Sequence, residues 1–391
     1  MKQPSLQRAP RFGIPRLGVF MALIALVVVL AGCVPGGAAM DPGWTVVATH
    51  DDTVYAALTT GSVVALDADI GVPNWRYPVA TDAPRPGFRL PFARTEAAEN
   101  TDPALQAVYG IPTITDDLLL VTSRDGRLYA FDRETGVRVW TFQAQDAIIG
   151  SATVYDGVAY FGSSDHHVYA IDLETQELVW PTPFRTENWV WGNPAVDEDK
   201  VYVGSMDHHV YALDRQTGEL IWRTNVNGSV PGRVALNDGV VFAGSVDRRL
   251  YALDIDTGDV LWRTEQLGGW VWGEALVHDG YVYFGSLNGQ VHAYSVADGS
   301  RRWEPVTVEG ALRAGPALFN GELMIGTEDG FVYAIALEDG LVVAQGRVNG
   351  AILSTPAVWQ DVVYVGTVLG EVHALEFVRG VDRQLWKYPS E

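Results

Sequence analysis

Apolar and polar residues alternate in short runs along most of this chain, and Gly, Asp and Asn separate the runs. In the stretch 192–223, four such runs cover residues 193–196, 200–205, 209–214 and 219–223. Alternation bounded by turn residues is typical of β-strands joined by tight turns. The pattern therefore predicts an all-β protein built from four-stranded antiparallel units.

A second pattern recurs once per unit and sets the length of the repeat. Each copy has Ala in one strand, a turn that usually contains Gly, and usually Trp in the next strand; the copies are 65–75, 130–140, 170–180, 212–222, 252–262, 293–303, 334–344 and 374–386. After the first interval, successive copies end 40 to 42 residues apart. This period with strand-like content indicates a β-propeller with one blade per repeat. We predict an eight-bladed β-propeller, with seven blades as the alternative, because no strand is visibly exchanged to close the ring.

The first 33 residues have a different pattern. A basic segment from Lys2 to Arg16 precedes an apolar run over 17–30, which is shorter than the ~20 residues of a spanning helix and is typical of an export signal. The run ends in Leu30-Ala31-Gly32-Cys33, which resembles the lipobox of bacterial lipoproteins and marks Cys33 as the lipidated residue. An uncleaved anchor with a chance cysteine is the alternative.

These boundaries define the predicted domains. We expect a lipoprotein signal peptide over 1–32, a lipidated tether over 33–43 and a propeller over 44–391, with an insertion over 78–109 between blades one and two. The mature protein would be exported and anchored by lipid to the cell envelope, facing the periplasm or the exterior. Cys33 is the only cysteine, so no disulfide forms within the chain.

The net charge of −21 changes the range of partners. Phosphate binding requires a basic surface, so nucleic acid is excluded as a partner. An acidic surface is compatible with an exported soluble domain.

The repeated phrase resembles a known motif. Copies such as 130–140 and 212–222 fit the form A-x-D-x-x-T-G-x-x-x-W, and the chain resembles the quinoprotein-like propeller family with pyrroloquinoline quinone (PQQ) repeats. The resemblance implies that each indole stacks on the neighbouring blade. The structural tryptophans implied in this way are Trp75, Trp140, Trp180, Trp222, Trp262, Trp303 and Trp386.

Two segments outside the repeated phrase are rich in tryptophan. Both lie in connections between blades, where the predicted topology places them on the same face as the insertion. With the matching positions of blade five they form a candidate binding face of Trp189, Trp191, Asn193, Arg233, Trp270, Trp272 and Glu274. Two interpretations stay open: the tryptophans pack between blades while Arg233 pairs with Glu274, or they line a pocket for a peptide, a sugar or a flat cofactor.

Two turns on the same predicted face repeat the sequence Asp-His-His. These weak metal candidates are His166, His167, His208 and His209. Equivalent turns of packed sheets lie ~10 Å apart, too far to share a zinc ion whose ligands lie at ~2.0–2.1 Å. Duplication of an Asp turn explains the motif, and we predict no metal site.

The family resemblance offers two functions. One branch contains PQQ-dependent dehydrogenases with calcium and typically a vicinal disulfide, which this chain cannot form; the other contains non-catalytic propellers, including lipoproteins of the BamB type and sensor domains. The predicted function is a lipid-anchored scaffold or binding module for envelope proteins or peptides, in envelope protein assembly, without enzyme activity or cofactor. We expect a monomeric propeller within a larger complex. The alternatives are a PQQ- and calcium-dependent oxidoreductase and a ligand-sensing propeller.

Overall fold

The computed structural model describes residues 43–78, 103–378 and 381–390. Its strands form eight four-stranded antiparallel sheets, and within each sheet the strands follow chain order. We label the strands of each blade A to D. None of the described residues belongs to a helix that is long and apolar enough to cross a bilayer.

Blades one to four occupy residues 46–225. Their strands are β1 (Val46–His50), β2 (Thr53–Ala57), β3 (Val63–Asp67), β4 (Pro73–Tyr77), β5 (Thr113–Ile114), β6 (Leu118–Thr122), β7 (Arg127–Asp132), β8 (Arg138–Gln143), β9 (Thr153–Tyr155), β10 (Val158–Gly162), β11 (His167–Asp172), β12 (Phe184–Arg185), β13 (Ala195–Val196), β14 (Lys200–Gly204), β15 (His209–Asp214) and β16 (Leu220–Asn225).

Blades five to eight occupy residues 235–388. Their strands are β17 (Ala235–Asn237), β18 (Val240–Ser245), β19 (Arg249–Asp254), β20 (Val260–Arg263), β21 (Leu276–His278), β22 (Tyr281–Ser286), β23 (Gln290–Ser295), β24 (Val306–Thr307), β25 (Ala317–Phe319), β26 (Glu322–Gly326), β27 (Phe331–Ala336), β28 (Val342–Arg347), β29 (Ala357–Trp359), β30 (Val362–Gly366), β31 (Val372–Val378) and β32 (Val381–Tyr388).

The eight sheets confirm the predicted eight-bladed propeller. Contacts between A strands of neighbouring blades, such as β17 with β21 and β29 with β1, place these strands on the inside of the ring. Blade four contains the strands predicted from the sequence, but β13 is shorter than predicted and β16 begins and ends later. Pro194 accounts for the short β13, because proline lacks the backbone N–H that an earlier start of this strand would need.

The ring closes without exchange of a strand. β1 pairs with β2, and β32 pairs with β31, so blades one and eight are each complete. Their joint is held by side chains: Trp386 Nε1 donates to the Ala68 carbonyl at 2.8 Å, and Tyr364 Oη donates to the same carbonyl at 3.1 Å. Side-chain packing and hydrogen bonding therefore hold the seam.

The hydrophobic core is divided among the joints between blades. The buried apolar residues form eight clusters, and each cluster combines strands of two neighbouring blades. Burial of apolar surface thus stabilises the contacts between blades, at ~25 cal/mol per Å². Each blade needs its neighbours to complete its core.

The repeat tryptophans lie at these joints. Most of them donate Nε1–H to a carbonyl in the C–D turn of the next blade: Trp75 to Arg133 (2.9 Å), Trp180 to Arg215 (3.0 Å), Trp222 to Ile255 (3.1 Å), Trp262 to Val296 (2.9 Å), Trp303 to Leu337 (3.2 Å) and Trp386 to Ala68 (2.8 Å). Trp140 is buried in the cluster between blades two and three.

Blade seven lacks this tryptophan and has Ala344 in its place. At its joint with blade eight, Phe377 packs on the cluster that contains Ala344. The β31–β32 hairpin is also longer than the outer hairpins of the other blades, because β31 has seven residues and β32, which begins at Val381, has eight. Asp382 in this extension lies close to Gly346 of β28. The longer hairpin brings contacts to the joint that has no indole.

Candidate functional site

The strand order puts the turns on two faces. The B–C turns and the described D–A connections lie on one face, which we call the Trp face because it carries Trp189 and Trp270. The A–B and C–D turns lie on the opposite face. The described part of the insertion belongs to the Trp face, since Leu105 N donates to the Gly61 carbonyl in the B–C turn of blade one at 2.9 Å.

Backbone hydrogen bonds fix the two tryptophan-bearing connections. In the first, Val190 N donates to Ser163 O at 3.1 Å, and Met206 N donates to Trp189 O at 2.8 Å. The second connection repeats this arrangement with Val271 N on Ser245 O and Leu287 N on Trp270 O. Each connection is therefore clamped between the B–C turns of two neighbouring blades.

The four indoles differ in exposure. All 13 tryptophans lie in the described residues, and among them only Trp189 and Trp270 are exposed, by 42% and 41%. Trp191 is half-buried, stacks on Trp189 with ring centroids 5.0 Å apart, and donates Nε1–H to Ser164 Oγ at 3.1 Å. Trp272 is half-buried, and the Arg313 guanidinium lies over its ring at 4.9 Å.

The three polar residues of the candidate face are bonded within the protein. Asn193 Oδ1 accepts the Ser151 backbone N–H at 2.6 Å. Arg233 Nη1 lies 3.7 Å from Glu274 Oε2, and both side chains are partly exposed. These residues link the connections of neighbouring blades at the mouth of the channel.

Glycine allows these connections to approach one another. A methyl group at Gly192 would lie 2.3 Å from the Gly232 carbonyl oxygen, and one at Gly232 would lie 2.3 Å from the Trp272 carbonyl oxygen. Backbone contact therefore runs from blade four through blade five to blade six. Beside these connections lies an open cavity of about 330 Å³, lined by aliphatic side chains of the inner strands of blades four to six, by Pro316 and by the Arg233–Glu274 pair.

A groove of about 520 Å³ lies between blades three and four, beside the connection that carries Trp189. Pro181 and Pro183 precede β12, and because proline lacks the N–H that a strand ladder uses, β12 pairs with β11 over two residues only. Arg223 Nη1 lies 3.0 Å from Glu187 Oε1 at the rim. The lining consists of Phe184, Arg185, Thr186, Glu187, Tyr211, Leu220 and Arg223.

The Asp-His-His turns have a local structural explanation. His166 and His208 have φ of 73° and 76° and occupy left-handed turn positions. His209 Nδ1 lies 3.0 Å from the Asp207 carbonyl, as His167 Nδ1 lies 2.9 Å from that of Asp165.

The aspartates of these turns are also bonded. Burial acts to raise the pKa of Asp207, but hydrogen bonds from Tyr211 and from the Glu187 and His209 amides lower it overall. Within the residues that the structure describes, no group of three or more His, Cys, Asp or Glu side chains is arranged to hold a metal ion.

The comparison with protein families assigns the propeller. A family model described as outer membrane protein assembly factor BamB matches residues 36–188, 164–310 and 288–391. The chain belongs to this family. The predicted relationship to the PQQ-repeat propellers of BamB type is confirmed.

Solved structures agree with the BamB-family assignment at the level of the fold. BamB from Moraxella catarrhalis has a TM-score of 0.69 at 20% identity and covers 85% of this chain and 96% of its own. The computationally designed Ika8 protein has a TM-score of 0.72 at 16% identity and covers 86% and 97%. Identities this low establish the shared architecture alone.

One curated enzyme also shares sequence with this BamB-family chain. Quinohemoprotein alcohol dehydrogenase ADH IIB of Pseudomonas putida is 31% identical over 97 residues, which are 25% of this chain and 12% of the enzyme. The match thus spans about an eighth of the enzyme's length. It shows a related repeat and does not extend to the rest of the enzyme.

The residues at the channel mouth do not fit a planar PQQ cofactor. Trp191 and Trp272 do not flank one space, because the connection of blade five with its buried Pro231 lies between theirs. The polar residues that would contact the ring are bonded to each other or to backbone. We therefore derive no chemistry through PQQ.

Sequence reasoning missed the groove between blades three and four and the Arg313–Trp272 contact. Pro181 and Pro183 directly follow the repeat tryptophan of blade three and were a usable signal for a shortened outer strand. Arg313 carried no such signal. The predictions for Cys33, for the signal peptide and for the central part of the insertion lie outside the described residues.

Proposed function

We propose that this protein is an exported, lipid-anchored propeller that binds a polypeptide segment of an envelope protein through its Trp face. The observation that carries the proposal is the exposure of Trp189 and Trp270 on connections with fixed backbone. Exposed aromatic residues on a rigid surface are typical of the energetic centres of interfaces. The other tryptophans are packed at blade joints or partly buried.

The groove between blades three and four supports this proposal. Phe184 and Leu220 offer apolar surface beside Trp189, and two arginines line the groove: Arg185, and Arg223 in its pair with Glu187. Such a combination accepts an extended segment with apolar side chains and a carboxylate, since arginine binds carboxylates with two parallel hydrogen bonds. We propose that the partner segment runs from Trp189 into this groove.

Replacing both Trp189 and Trp270 with Ala tests the binding surface. We expect the double variant to lose co-purification of envelope proteins after detergent extraction while its melting temperature stays within a few degrees of the wild type. Trp222→Ala is the matched control, because Trp222 is 7% exposed and lies at a joint; it should cost ~3–5 kcal/mol of stability. If the double variant is as destabilised as the control, its tryptophans serve packing and the proposed surface is wrong.

The lipid anchor is tested separately. A single acyl chain binds membranes only marginally, so the proposal requires the multiple acylation of bacterial lipoproteins at Cys33. Cys33→Ser should move the protein from the membrane fraction to the soluble fraction. A variant that stays in the membrane contradicts the anchor.

A second candidate function is favoured by the partial match to the quinohemoprotein dehydrogenase. A PQQ-dependent oxidoreductase would give a stoichiometric absorbance change with PQQ and calcium, followed by dye reduction with simple alcohols or sugars. We expect neither signal, because the residues at the channel mouth do not fit the cofactor. A clear signal would replace the binding function with an enzymatic one.

A further inference from the structure

The face opposite the Trp face is strongly acidic, and we call it the acidic face. Among the described turns, every A–B turn except that of blade seven contains Asp, and none contains Lys or Arg. Every C–D turn of blades one to seven contains at least one Asp or Glu, with arginine in three of these blades. Negative charge is thus concentrated on one side of the disc.

The backbone of these turns does not require the charge. Asp51, Asp156, Asp238 and Asp279 have φ between 42° and 50°, a region that suits Asn as well as Asp. Blade seven has Asn320 at the same position with φ of 49°. The same turn therefore forms without a carboxylate.

The Trp face has a different balance. Acids also lie on this side, among them Glu187, Glu265 and Glu328, but arginines near the ends of the outer strands offset them: Arg76, Arg185, Arg223, Arg263 and Arg347. Aspartates of its B–C turns accept hydrogen bonds from tyrosine hydroxyl groups, as Asp165 does from Tyr169 and Asp207 from Tyr211, both at 2.7 Å. The propeller is therefore electrostatically polar along the axis of its channel.

The propeller also begins on the Trp face. Trp44 N donates to the Val108 carbonyl at 3.3 Å, and Trp44 Nε1 donates to the Tyr109 carbonyl at 3.1 Å. Both acceptors belong to the connection between blades one and two, so Gly43, where the described residues begin, lies on this side, next to an inner strand.

The proposed lipid at Cys33 is joined to this point by residues 33–42, which span at most about 35 Å. A path from β1 around blade one to the acidic face crosses three strand spacings and one strand length, roughly 31 Å before any turn is counted. If the acidic face were turned toward the bilayer, this path would use almost the whole length of the extended tether. If the Trp face is turned toward the bilayer, the tether does not have to pass around the blade.

We propose that the propeller is held with its Trp face toward the membrane and its acidic face toward the aqueous compartment. The partner is then a membrane protein whose binding segment lies close to the bilayer surface and reaches the Trp face from that side. Repulsion between the acidic face and anionic headgroups acts in the same direction as the tether. This proposal rests on the lipid anchor proposed above.

Fluorescence energy transfer to labelled lipids tests the orientation. Gln266→Cys and Gln216→Cys place a single thiol on an exposed position of the Trp face and the acidic face, respectively, in full-length lipidated protein whose own Cys33 carries lipid. The vesicles contain phosphatidylethanolamine, phosphatidylglycerol and an acceptor lipid. Since a five-residue strand separates the faces by ~17 Å, transfer from Gln266→Cys should exceed that from Gln216→Cys by about twofold or more.

Flotation of the same vesicles tests the lipid anchor separately from the orientation. Protein that does not float overturns the anchor and the orientation together. Protein that floats with equal transfer from both sites, or with more from Gln216→Cys, overturns the orientation alone.

A variant with Asp51, Asp156, Asp238 and Asp279 all changed to Asn tests the electrostatic part, with unchanged melting as the control for folding. On anionic vesicles these substitutions should reduce the difference in energy transfer between Gln266→Cys and Gln216→Cys. On phosphatidylcholine vesicles they should leave this difference unchanged. An unchanged difference on anionic vesicles overturns the contribution of charge.

Discussion

Gly218 tests whether the indole of one blade packs on the turn of the next. Gly218 has φ of 74°, and a methyl group there would lie 2.6 Å from Cδ2 of Trp180. Gly280 has φ of 76° and no atom within 4 Å of the same position. Substitution by Ala thus imposes the same backbone strain at both sites, but only Gly218→Ala also forces a side chain into an indole.

The two costs follow from these geometries. A left-handed conformation costs an L-residue roughly 1–2 kcal/mol, which is the whole expected effect of Gly280→Ala. Overpacking adds ~1–3 kcal/mol, so Gly218→Ala should lower the free energy of unfolding by about 2–5 kcal/mol. Trp180 is fully buried, which leaves its ring little freedom to move away.

Urea unfolding followed by far-ultraviolet circular dichroism measures both variants. In a Trp180→Ala background the clash is absent, so Gly218→Ala should then cost no more than Gly280→Ala does in the wild type. Equal losses for the two glycine variants in the wild-type background would refute the packing of Trp180 on this turn.

Three further predictions concern single side chains. Gln176 has φ of 63° where the other clear copies have Gly, so Gln176→Gly should raise the free energy of unfolding by about 1 kcal/mol in the same urea assay; a loss would contradict the strain. Burial lowers the pKa of His292 to about 4, below ~6.5 for the unfolded chain. As the pH falls from 6.5 to 4, the unfolded chain therefore binds a proton that the folded protein does not, and the free energy of unfolding should fall by up to roughly 3 kcal/mol. His292→Phe should remove this part of the pH dependence, and an unchanged pH profile would contradict the role of His292. Arg233→Ala breaks an exposed pair with Glu274 and should change stability by less than ~1 kcal/mol; a larger loss would show that the pair holds the channel mouth together.

The fold could be predicted because the repeat is local in sequence. Alternating residues, turn glycines and the tryptophan at a fixed spacing specify each blade, and repetition of the blade specifies a ring. The extra length of β32 could not be predicted, because it depends on the joint with blade seven, where Ala344 leaves out an indole. That contact joins residues that the repeat pattern does not relate.

The sequence predicted which residues form the candidate face, but not how exposed their side chains are or what these side chains contact. Trp189 and Trp191 were predicted to belong to one binding face, and their two rings stack. Trp270 is exposed, whereas Trp272 lies under Arg313 of the connection between blades six and seven. Contacts across a joint involve side chains from two blades, so the sequence of a single repeat does not predict them.

Photo-crosslinking in native membranes shows directly whether the Trp face is the binding surface. A photoreactive phenylalanine at Gln266 on the Trp face is compared with one at Gln216 on the acidic face. We expect a crosslinked partner from Gln266 that disappears when Trp189 and Trp270 are both changed to Ala. A partner crosslinked equally from Gln216, or one that persists in the double variant, would contradict it.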